Sequence, residues 1–321
     1  IILQADLLLC IYIALHFYLS GLLPLFAFLG VMICQIVFFF KYNNSDYFKR
    51  EVCFYVLLIA LLSILPCCFL GTSTITFYGK YKDEKLLSID SYLLGSLFPY
   101  GQLSIYLDTN DVFGPNTTLG IVCESILQVF YFFYYLVPYQ SLYLFLMMKC
   151  IRETLFRRRN NGIKSRTYTK SWNQLLFGFS MYNMVIFFIF SINSMVPATS
   201  PRLYYKHKYT KELKMPGFPG FLNSNCRDNK SANSFPSGHV AETLCFAIFF
   251  ALIDNWIGFT ISFIIALLLS LGTLWLRYHY FIDAVVGAII AIFSSLFCYF
   301  IGYKICKLQK CLFILKEGKY D

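Results

Sequence analysis

Two short motifs contain the residues of this sequence that are best suited to catalysis. Pro236-Ser237-Gly238-His239 is followed, forty residues after its histidine, by His279-Tyr280-Phe281-Ile282-Asp283. His279 and Asp283 are four residues apart, so on a helix they share a face and the carboxylate can reach the imidazole. An acid that holds one imidazole nitrogen directs the other, which is how a histidine becomes a nucleophile. The second motif therefore predicts attack on phosphorus by His279, oriented by Asp283.

The first motif lies where a polar loop meets an apolar segment, and its composition is typical of a helix start. Proline suits the first turn of a helix, and Ser237 can cap it. The helix dipole and unpaired amides at Ser237 and Gly238 would then hold an anion such as phosphate, with His239 beside it. Taken alone, the tetrapeptide is about equally consistent with an ordinary helix start. Ionisable residues at the end of a span, such as His279 and Asp283, can likewise be simple interfacial anchors.

Two apolar segments must bring these motifs together. Segments 238–253 and 256–276 are predicted helices, and Asp254-Asn255 is the tight turn between them. Two antiparallel helices return the chain to the side from which it started. His239 and His279 are therefore expected to meet on one face.

Composition places these helices in a membrane. Hydrophobic residues make up 58% of the 321-residue chain and charged residues 14%, which lies outside the range of ordinary soluble domains. A bilayer core needs about 20 consecutive apolar residues per helix, and the chain supplies such runs repeatedly. The predicted spans are 4–20, 22–40, 51–71, 119–148, 174–195, 238–253, 256–276 and 279–303. The first of them is expected to be a membrane helix and not a signal peptide.

Charged loops predict the orientation of the spans. Loop 149–170 holds eight basic residues and one acid, so it is expected in the cytosol, together with 41–50 and the tail. The opposite side receives 72–118, which contains the glycosylation sequon Asn116-Thr117-Thr118, and the polar loop 196–237. Segment 86–107 contains Gly95, Pro99 and Gly101 and is predicted to be interfacial or re-entrant.

Several other classes of function are disfavoured. The formal net charge of +10 comes from loops between spans, so lipid contact explains it better than nucleic-acid binding. The outer loop 196–237 is itself basic, which indicates an anionic ligand unless loop length alone explains it. No P-loop, dinucleotide-binding pattern or zinc-type spacing is present, no cofactor or metal is expected, and a structural disulfide is unsupported. A transporter would show more polar residues near the bilayer midplane.

The chain resembles the type 2 phosphatidic acid phosphatase superfamily over roughly residues 120–303, because FPSGH is followed by two helices and then by HYFID. The resemblance implies a six-helix core, a metal-independent reaction and an active site on the non-cytosolic side. It implies that His279 forms a phosphohistidine, that Asp283 orients it and that His239 is the general acid and base.

Two departures from the family pattern are clear. The lysine of the first motif is replaced by Met195, and the sequence reads Pro201-Arg202 where the family has Arg-Pro. Gly272-Thr273 stands where the third motif has Ser-Arg. Arg202 and Arg277 are the predicted substitutes that bind phosphate. This variant pattern is most similar to the inositol phosphorylceramide synthase branch.

The expected fold is therefore an all-α polytopic membrane protein with about eight transmembrane helices and a six-helix phosphatidic-acid-phosphatase-type core. The expected parts are a helix pair at 1–50, a catalytic core at 51–303 with its motifs at 174–303, and a basic cytosolic tail at 304–321. Membrane lipids are the expected substrates, and the active site is expected on the luminal or extracellular face, with an endomembrane location favoured.

The expected reaction is transfer of a phospho-headgroup of the inositol phosphate type to a lipid alcohol such as ceramide. The alternatives are a lipid phosphate phosphatase and a catalytically silent membrane scaffold. The role of Glu242, on the helical face of His239, is left open, and His16 and His207 are not expected to be catalytic.

Overall fold

The fold of this chain was analysed in a computed structural model that describes residues 81–133, 196–227 and 234–317, with scattered positions between 174 and 195. These residues form helices and connecting segments, without a β-strand among them. The predicted spans 4–20, 22–40 and 51–71, the boundary at residue 50 and the loop 149–170 lie outside the described residues, as does His16. The predicted number of eight spans stays a prediction.

Three long helices carry the two motifs. Helix α6 spans Gly238–Leu252, α7 spans Trp256–Trp275 and α8 spans Phe281–Glu317. The turn between α6 and α7 is confirmed: Asp254 has φ of 59°, and the side chain of Asn255 accepts a hydrogen bond from the Gly258 amide at 3.0 Å. The hairpin therefore returns the chain to the side of Ser237.

Two of these helices are long and apolar enough to cross a membrane. They cover Trp256–Trp275 and Phe281–Phe300, whereas α6 is a shorter apolar helix. Their outward faces expose large apolar side chains, as lipid-facing helices do. Examples are Ile257, Ile261, Ile264, Leu267, Ile289, Phe293 and Phe300. Length, composition and this exposed surface indicate membrane association.

Helix α8 is longer than the sequence predicted. It continues to Glu317, although 304–321 was expected to be a tail beyond the last span. No proline interrupts the segment, and the next glycine after Gly302 is Gly318. Without either residue type, nothing in the local sequence breaks the helix before its end.

Among the described residues, five further helices with defined ends precede α6, α7 and α8. They are α1 (Asp83–Leu94), α2 (Leu103–Thr109), α3 (Thr118–Phe133), α4 (Pro201–Tyr204) and α5 (Gly217–Arg227). The segment predicted to be interfacial or re-entrant thus consists of α1, a 3-10 turn at Pro99–Gly101 and α2. Gly101 has φ of 69° and lies against the backbone of Asp90, so a side chain would not fit there.

An apolar core holds α6 and α8 against the helical positions described between 174 and 195. It includes Met181, Val185, Cys245, Phe249 and Ile290. On the other side, α7 packs closely on α3 because Gly272 lies next to Leu127, where an added Cβ would be 3.3 Å from the Leu127 carbonyl oxygen. The glycine that departs from the family pattern is therefore a packing residue between α3 and α7.

Candidate active site

The two motifs meet at the starts of α6 and α8. The Ser237 hydroxyl accepts a hydrogen bond from the Val240 amide, which confirms the predicted cap. The Ser237 amide was expected to be unpaired, and this expectation is wrong: it donates to the Asp283 carbonyl oxygen at 3.0 Å. The bond ties the two helix starts together, and phosphate binding by Ser237 and Gly238 stays a prediction.

The imidazoles of His239 and His279 face one another. Nδ1 of His239 and Nε2 of His279 are 3.4 Å apart, and the ring centroids are separated by 5.6 Å. The His279 amide donates to the Thr273 carbonyl at the end of α7, which holds the histidine at the turn between helices. The predicted meeting of the two histidines is confirmed, whereas their chemical roles stay predictions.

Asp283 lies beside the other nitrogen of His279. Its Oδ2 is 3.3 Å from Nδ1 of His279 and accepts hydrogen bonds from the Ser234 hydroxyl at 2.7 Å and the Tyr280 amide at 2.9 Å. The carboxylate is fully buried. With Nδ1 held by the acid, Nε2 is directed towards His239, which is the arrangement expected for an oriented nucleophile.

Ser234 is a member of this group that the sequence analysis did not single out. Its hydroxyl is 3.3 Å from Nδ1 of His279 as well as bonded to Asp283. Ser234 belongs to a polar loop rich in serine and asparagine, so no local signal distinguished it. Its proximity to the histidine arises only from the folding of that loop onto the start of α8.

Arg277 is held by protein groups. Its Nη2 is 2.8 Å from Oδ1 of Asp108, its Nη1 donates to the Lys211 carbonyl at 3.0 Å, and its guanidinium lies 3.9 Å from the centroid of the Tyr209 ring. Burial lowers the pKa of Arg277 from its usual value. The structure thus does not present Arg277 as an uncommitted phosphate ligand, and that role stays a prediction.

Arg202 is adjacent to Arg277 but only partly engaged. Its backbone amide donates to the Arg277 carbonyl at 2.9 Å, and its Nη2 donates to Asn223 at 2.6 Å. Its guanidinium also covers the Tyr278 ring at 4.6 Å. Among the described residues, Nη1 of Arg202 is buried without a hydrogen-bond partner. One donor therefore remains for a ligand.

A stack of aromatic rings joins the arginines to the histidines. Tyr131 of α3 stacks on His239, with centroids 4.5 Å apart, and on Tyr278, with centroids 4.1 Å apart. Because Arg202 covers Tyr278, the order of groups is His239, Tyr131, Tyr278 and Arg202. We call this series the aromatic stack. Arg202 is thus separated from His239 by two rings.

Three buried aspartates from α1 and α2 hold the segments that carry the site. Asp83 accepts hydrogen bonds from the hydroxyl groups of Tyr280 and Thr199, at 2.7 and 2.8 Å respectively. Asp108 accepts from Thr210 in addition to its contact with Arg277. Sequence analysis missed these aspartates because their partners lie more than a hundred residues away.

Asp90 caps the start of α8. Its two oxygens accept from the amides of Phe281 and Ile282 at 2.8 and 2.9 Å, and Gln102 donates to it at 2.7 Å. A carboxylate at this position satisfies the unpaired amides of the first turn. Burial raises the pKa of Asp90 to about 6. The start of α8, which follows His279, is therefore fixed by a residue of α1.

The other candidates add little to the geometry. Glu242 is buried on α6, and a Cβ at Gly238 would lie 3.4 Å from its carboxylate. His207 is exposed, as expected of a residue without a catalytic role. Within 81–133, 196–227 and 234–317, no three His, Cys, Asp or Glu residues are grouped so that they could hold a metal ion.

Comparisons with known proteins show what the part of the chain that contains this site is similar to. Residues 172–305 match the family model of the PAP2 superfamily. A PA-phosphatase related-family protein of Dictyostelium discoideum is 32% identical over 289 residues, which is 85% of this chain and 50% of that protein. The chain thus spans about half the length of this curated relative. No solved structure matches the chain. The matched region contains every residue of the paired histidine site.

Proposed function

We propose that this protein is a membrane-embedded enzyme that transfers a phospho-headgroup between lipids through a phosphohistidine at His279. The observation that carries the proposal is the 3.4 Å approach of Nε2 of His279 to Nδ1 of His239, with Asp283 beside Nδ1 of His279. PAP2 superfamily membership of residues 172–305 supports phosphatase or phosphotransferase chemistry on lipid-like substrates. This geometry supports a role for one histidine as the nucleophile and for the other as the acid–base group.

In the first step, Nε2 of His279 attacks phosphorus. A P–N bond forms, the P–O bond to the lipid alcohol breaks, and protonated His239 gives its proton to the departing oxygen. The positive charge that develops on the His279 ring is stabilised by Asp283, whose orientation is fixed by Ser234 and the Tyr280 amide. The step needs no water in the site.

In the second step, neutral His239 removes a proton from an acceptor hydroxyl. The acceptor oxygen attacks phosphorus, an O–P bond forms and the P–N bond breaks, which restores both histidines. A lipid alcohol such as ceramide as the acceptor makes the enzyme a synthase. Transfer to ceramide rests on the variant motifs around Arg202 and Arg277.

Hydrolysis is the second candidate reaction, with water as the acceptor. It is supported by the name of the related Dictyostelium protein, which is a PA-phosphatase related-family protein. The chemistry at His279 and His239 would be the same in both reactions. The two candidates differ only in the group that takes the phosphoryl from His279.

One assay separates these reactions. The purified chain in mixed micelles is incubated with labelled phosphatidylinositol plus ceramide, and in parallel with labelled phosphatidic acid. Appearance of labelled inositol phosphorylceramide supports the synthase, and release of inorganic phosphate supports the phosphatase. Absence of turnover in both incubations, with no labelled protein recovered after alkaline quenching, overturns the enzyme proposal.

The active site is proposed to face the lumen or the cell exterior, in an endomembrane by preference. Asn116 of the sequon is exposed just before α3 begins, on the loop that precedes the residues of the aromatic stack. Expression in eukaryotic cells should therefore give a glycan that an endoglycosidase removes and that Asn116→Gln abolishes. If neither protein carries a glycan and a cysteine introduced at position 116 is labelled from the cytosol, the orientation is the reverse of the one proposed.

A further inference from the structure

One face of α3 carries polar groups into the interior next to the candidate site. Glu124, Gln128 and Tyr131 follow at intervals of four and three residues, so they lie on the same side of the helix. Glu124 is 1% exposed and Gln128 is not exposed at all. The helix is otherwise largely apolar, so these two side chains need an explanation.

Most of the hydrogen-bonding capacity of this face is unused. Among the described residues, neither carboxylate oxygen of Glu124 has a hydrogen-bond partner, and neither has the amide nitrogen of Gln128. Buried polar groups are normally paired, because an unpaired one destabilises a protein. Three unpaired atoms on one helix face indicate a site that is completed by a ligand.

These groups adjoin the aromatic stack. Oε1 of Gln128 accepts a hydrogen bond from the Tyr278 hydroxyl at 3.0 Å, and Tyr131 from the next turn stacks on both Tyr278 and His239. Glu124 lies within electrostatic range of Arg277 and Arg202. Arg202 itself retains an unpaired buried Nη1. The unpaired donors and acceptors therefore lie next to the aromatic stack, whose Tyr131 ring contacts His239.

We propose that Glu124, Gln128 and Arg202 form a subsite that binds the hydroxyl groups of a polyhydroxylated lipid headgroup beside the transferred phosphate. The inference rests on the proposed function, because the aromatic stack is what relates this subsite to His239.

The chemistry of the unpaired atoms selects this ligand class. A hydroxyl group both donates and accepts, so several hydroxyls can pair with the Glu124 oxygens and with the Gln128 amide nitrogen together. A second phosphate would be repelled by Glu124. A quaternary ammonium group has no acceptor for Gln128 and would be repelled by the two arginines.

Binding to a variant that cannot turn over its substrate tests the subsite separately from catalysis. The full chain with His279→Ala in detergent micelles is titrated with three dioctanoyl lipids that differ in headgroup: phosphatidylinositol, phosphatidic acid and phosphatidylcholine. Tighter binding of phosphatidylinositol than of both others is expected. Adding Glu124→Gln should weaken phosphatidylinositol binding about tenfold and leave phosphatidic acid unchanged, since one hydrogen bond to a charged group is lost.

Two further variants distinguish recognition from a structural role. Ser125→Ala is the matched control, because this α3 hydroxyl is already bonded to the Ile121 carbonyl and should leave all three affinities unchanged. Glu124→Gln should keep or raise the melting temperature, because an unpaired buried acid is removed. A fall in melting temperature with unchanged headgroup preference would show that Glu124 merely balances the arginines and would overturn the proposal.

Equal binding of the three lipids by the parent variant, or tighter binding of phosphatidylcholine, would also overturn it. These outcomes are distinguishable from failure of the proposed function. If the headgroup preference depends on Glu124 but the unmutated protein shows no turnover, the proposed subsite stands and the proposed transferase function is overturned.

Discussion

The histidine centre and the arginine side of the site lie next to each other but are organised differently. In the histidine centre, formed by His239, His279, Asp283 and Ser234, the two imidazole nitrogens face one another without a ligand. On the arginine side, formed by Arg202, Arg277, Asp108 and Tyr278, the cations are largely bound by protein groups. The contrast teaches that the histidine centre is preorganised, whereas most of the positive charge on the arginine side stabilises the surrounding fold.

The strongest test of this contrast is removal of the nucleophile. We expect His279→Ala to lower turnover by at least about a thousandfold, as loss of a covalent nucleophile does in other enzymes. Activity is measured in the paired lipid assay, and folding is monitored by thermal unfolding in detergent. Because His279 is buried but its neighbours remain paired through Ser234 and Tyr280, the melting temperature should change little.

The exposed His207 provides a matched control for this substitution. His207→Ala should retain the activity of the unmutated protein. If the His279→Ala and His207→Ala proteins have equal activity, the phosphohistidine intermediate is ruled out. The protein then either catalyses the reaction without a covalent intermediate or does not catalyse it.

The second test addresses the arginine side through stability. Asp108→Ala removes the carboxylate that contacts the buried Arg277, and it also removes the acceptor for Thr210. We therefore expect destabilisation of about 3–5 kcal/mol. Thermal unfolding in detergent measures it. The exposed Asp111→Ala on the same segment should have no effect.

A double variant sharpens this result. Adding Arg277→Met to Asp108→Ala should recover part of the lost stability, because no unpaired buried charge remains. If Asp108→Ala instead leaves the melting temperature unchanged and weakens only substrate binding, Arg277 belongs to the phosphate site and the contrast between the two regions is wrong.

A smaller effect is expected at Ser234. Ser234→Ala removes the hydroxyl that donates to Asp283 at 2.7 Å, so the carboxylate is held less firmly beside His279. One lost hydrogen bond corresponds to about tenfold in turnover. The kinetic constants of the lipid assay should show a lower kcat with an unchanged KM. A change in KM alone would place Ser234 in substrate binding and not in orientation of the acid.

Another expected effect is the pH dependence set by Asp90, whose pKa is raised by burial from 3.8 to about 6. Because the folded protein favours the neutral acid, the stabilisation is fully present below about pH 4 and is lost as the pH rises through about 6. It amounts to at most about 3 kcal/mol.

Comparison with Asp90→Asn, which does not titrate, isolates this contribution. The melting temperature of the unmutated protein relative to that of Asp90→Asn should fall between about pH 4 and pH 7 and stay level above it. A constant difference across this range would show that Asp90 has the same pKa in the folded and unfolded protein.

The histidine centre was predictable because its contacts are local or depend on one helical hairpin. Asp283 follows His279 by four residues, and α6 and α7 are apolar segments joined by a recognisable turn. The Ser237 amide was predicted wrongly because its acceptor, the Asp283 carbonyl, comes from a different helix start. Helical periodicity does not indicate which backbone amides are paired by a contact between two helix starts.

The arginine side was not predictable in the same way. Arg277 and Asp108 are 169 residues apart, and Asp108 follows directly after segment 86–107, which was predicted only to be interfacial or re-entrant. Glu124 and Gln128 are polar residues of an otherwise largely apolar predicted span, but the sequence does not show which site they adjoin. Their position beside His239 results from the close packing of α3 on α7 at Gly272.

The sequence by itself determined the membrane-like composition, the helical hairpin and the chemistry of the His–Asp motif, because residue type, period and short spacing specify these directly. The tertiary structure decided which charges are available to a ligand. Asp108 and Tyr209 contact Arg277, whereas among the described residues the Glu124 oxygens, the Gln128 amide nitrogen and Nη1 of Arg202 have no hydrogen-bond partner. Such pairing depends on contacts between distant segments, and only the packed helices create them.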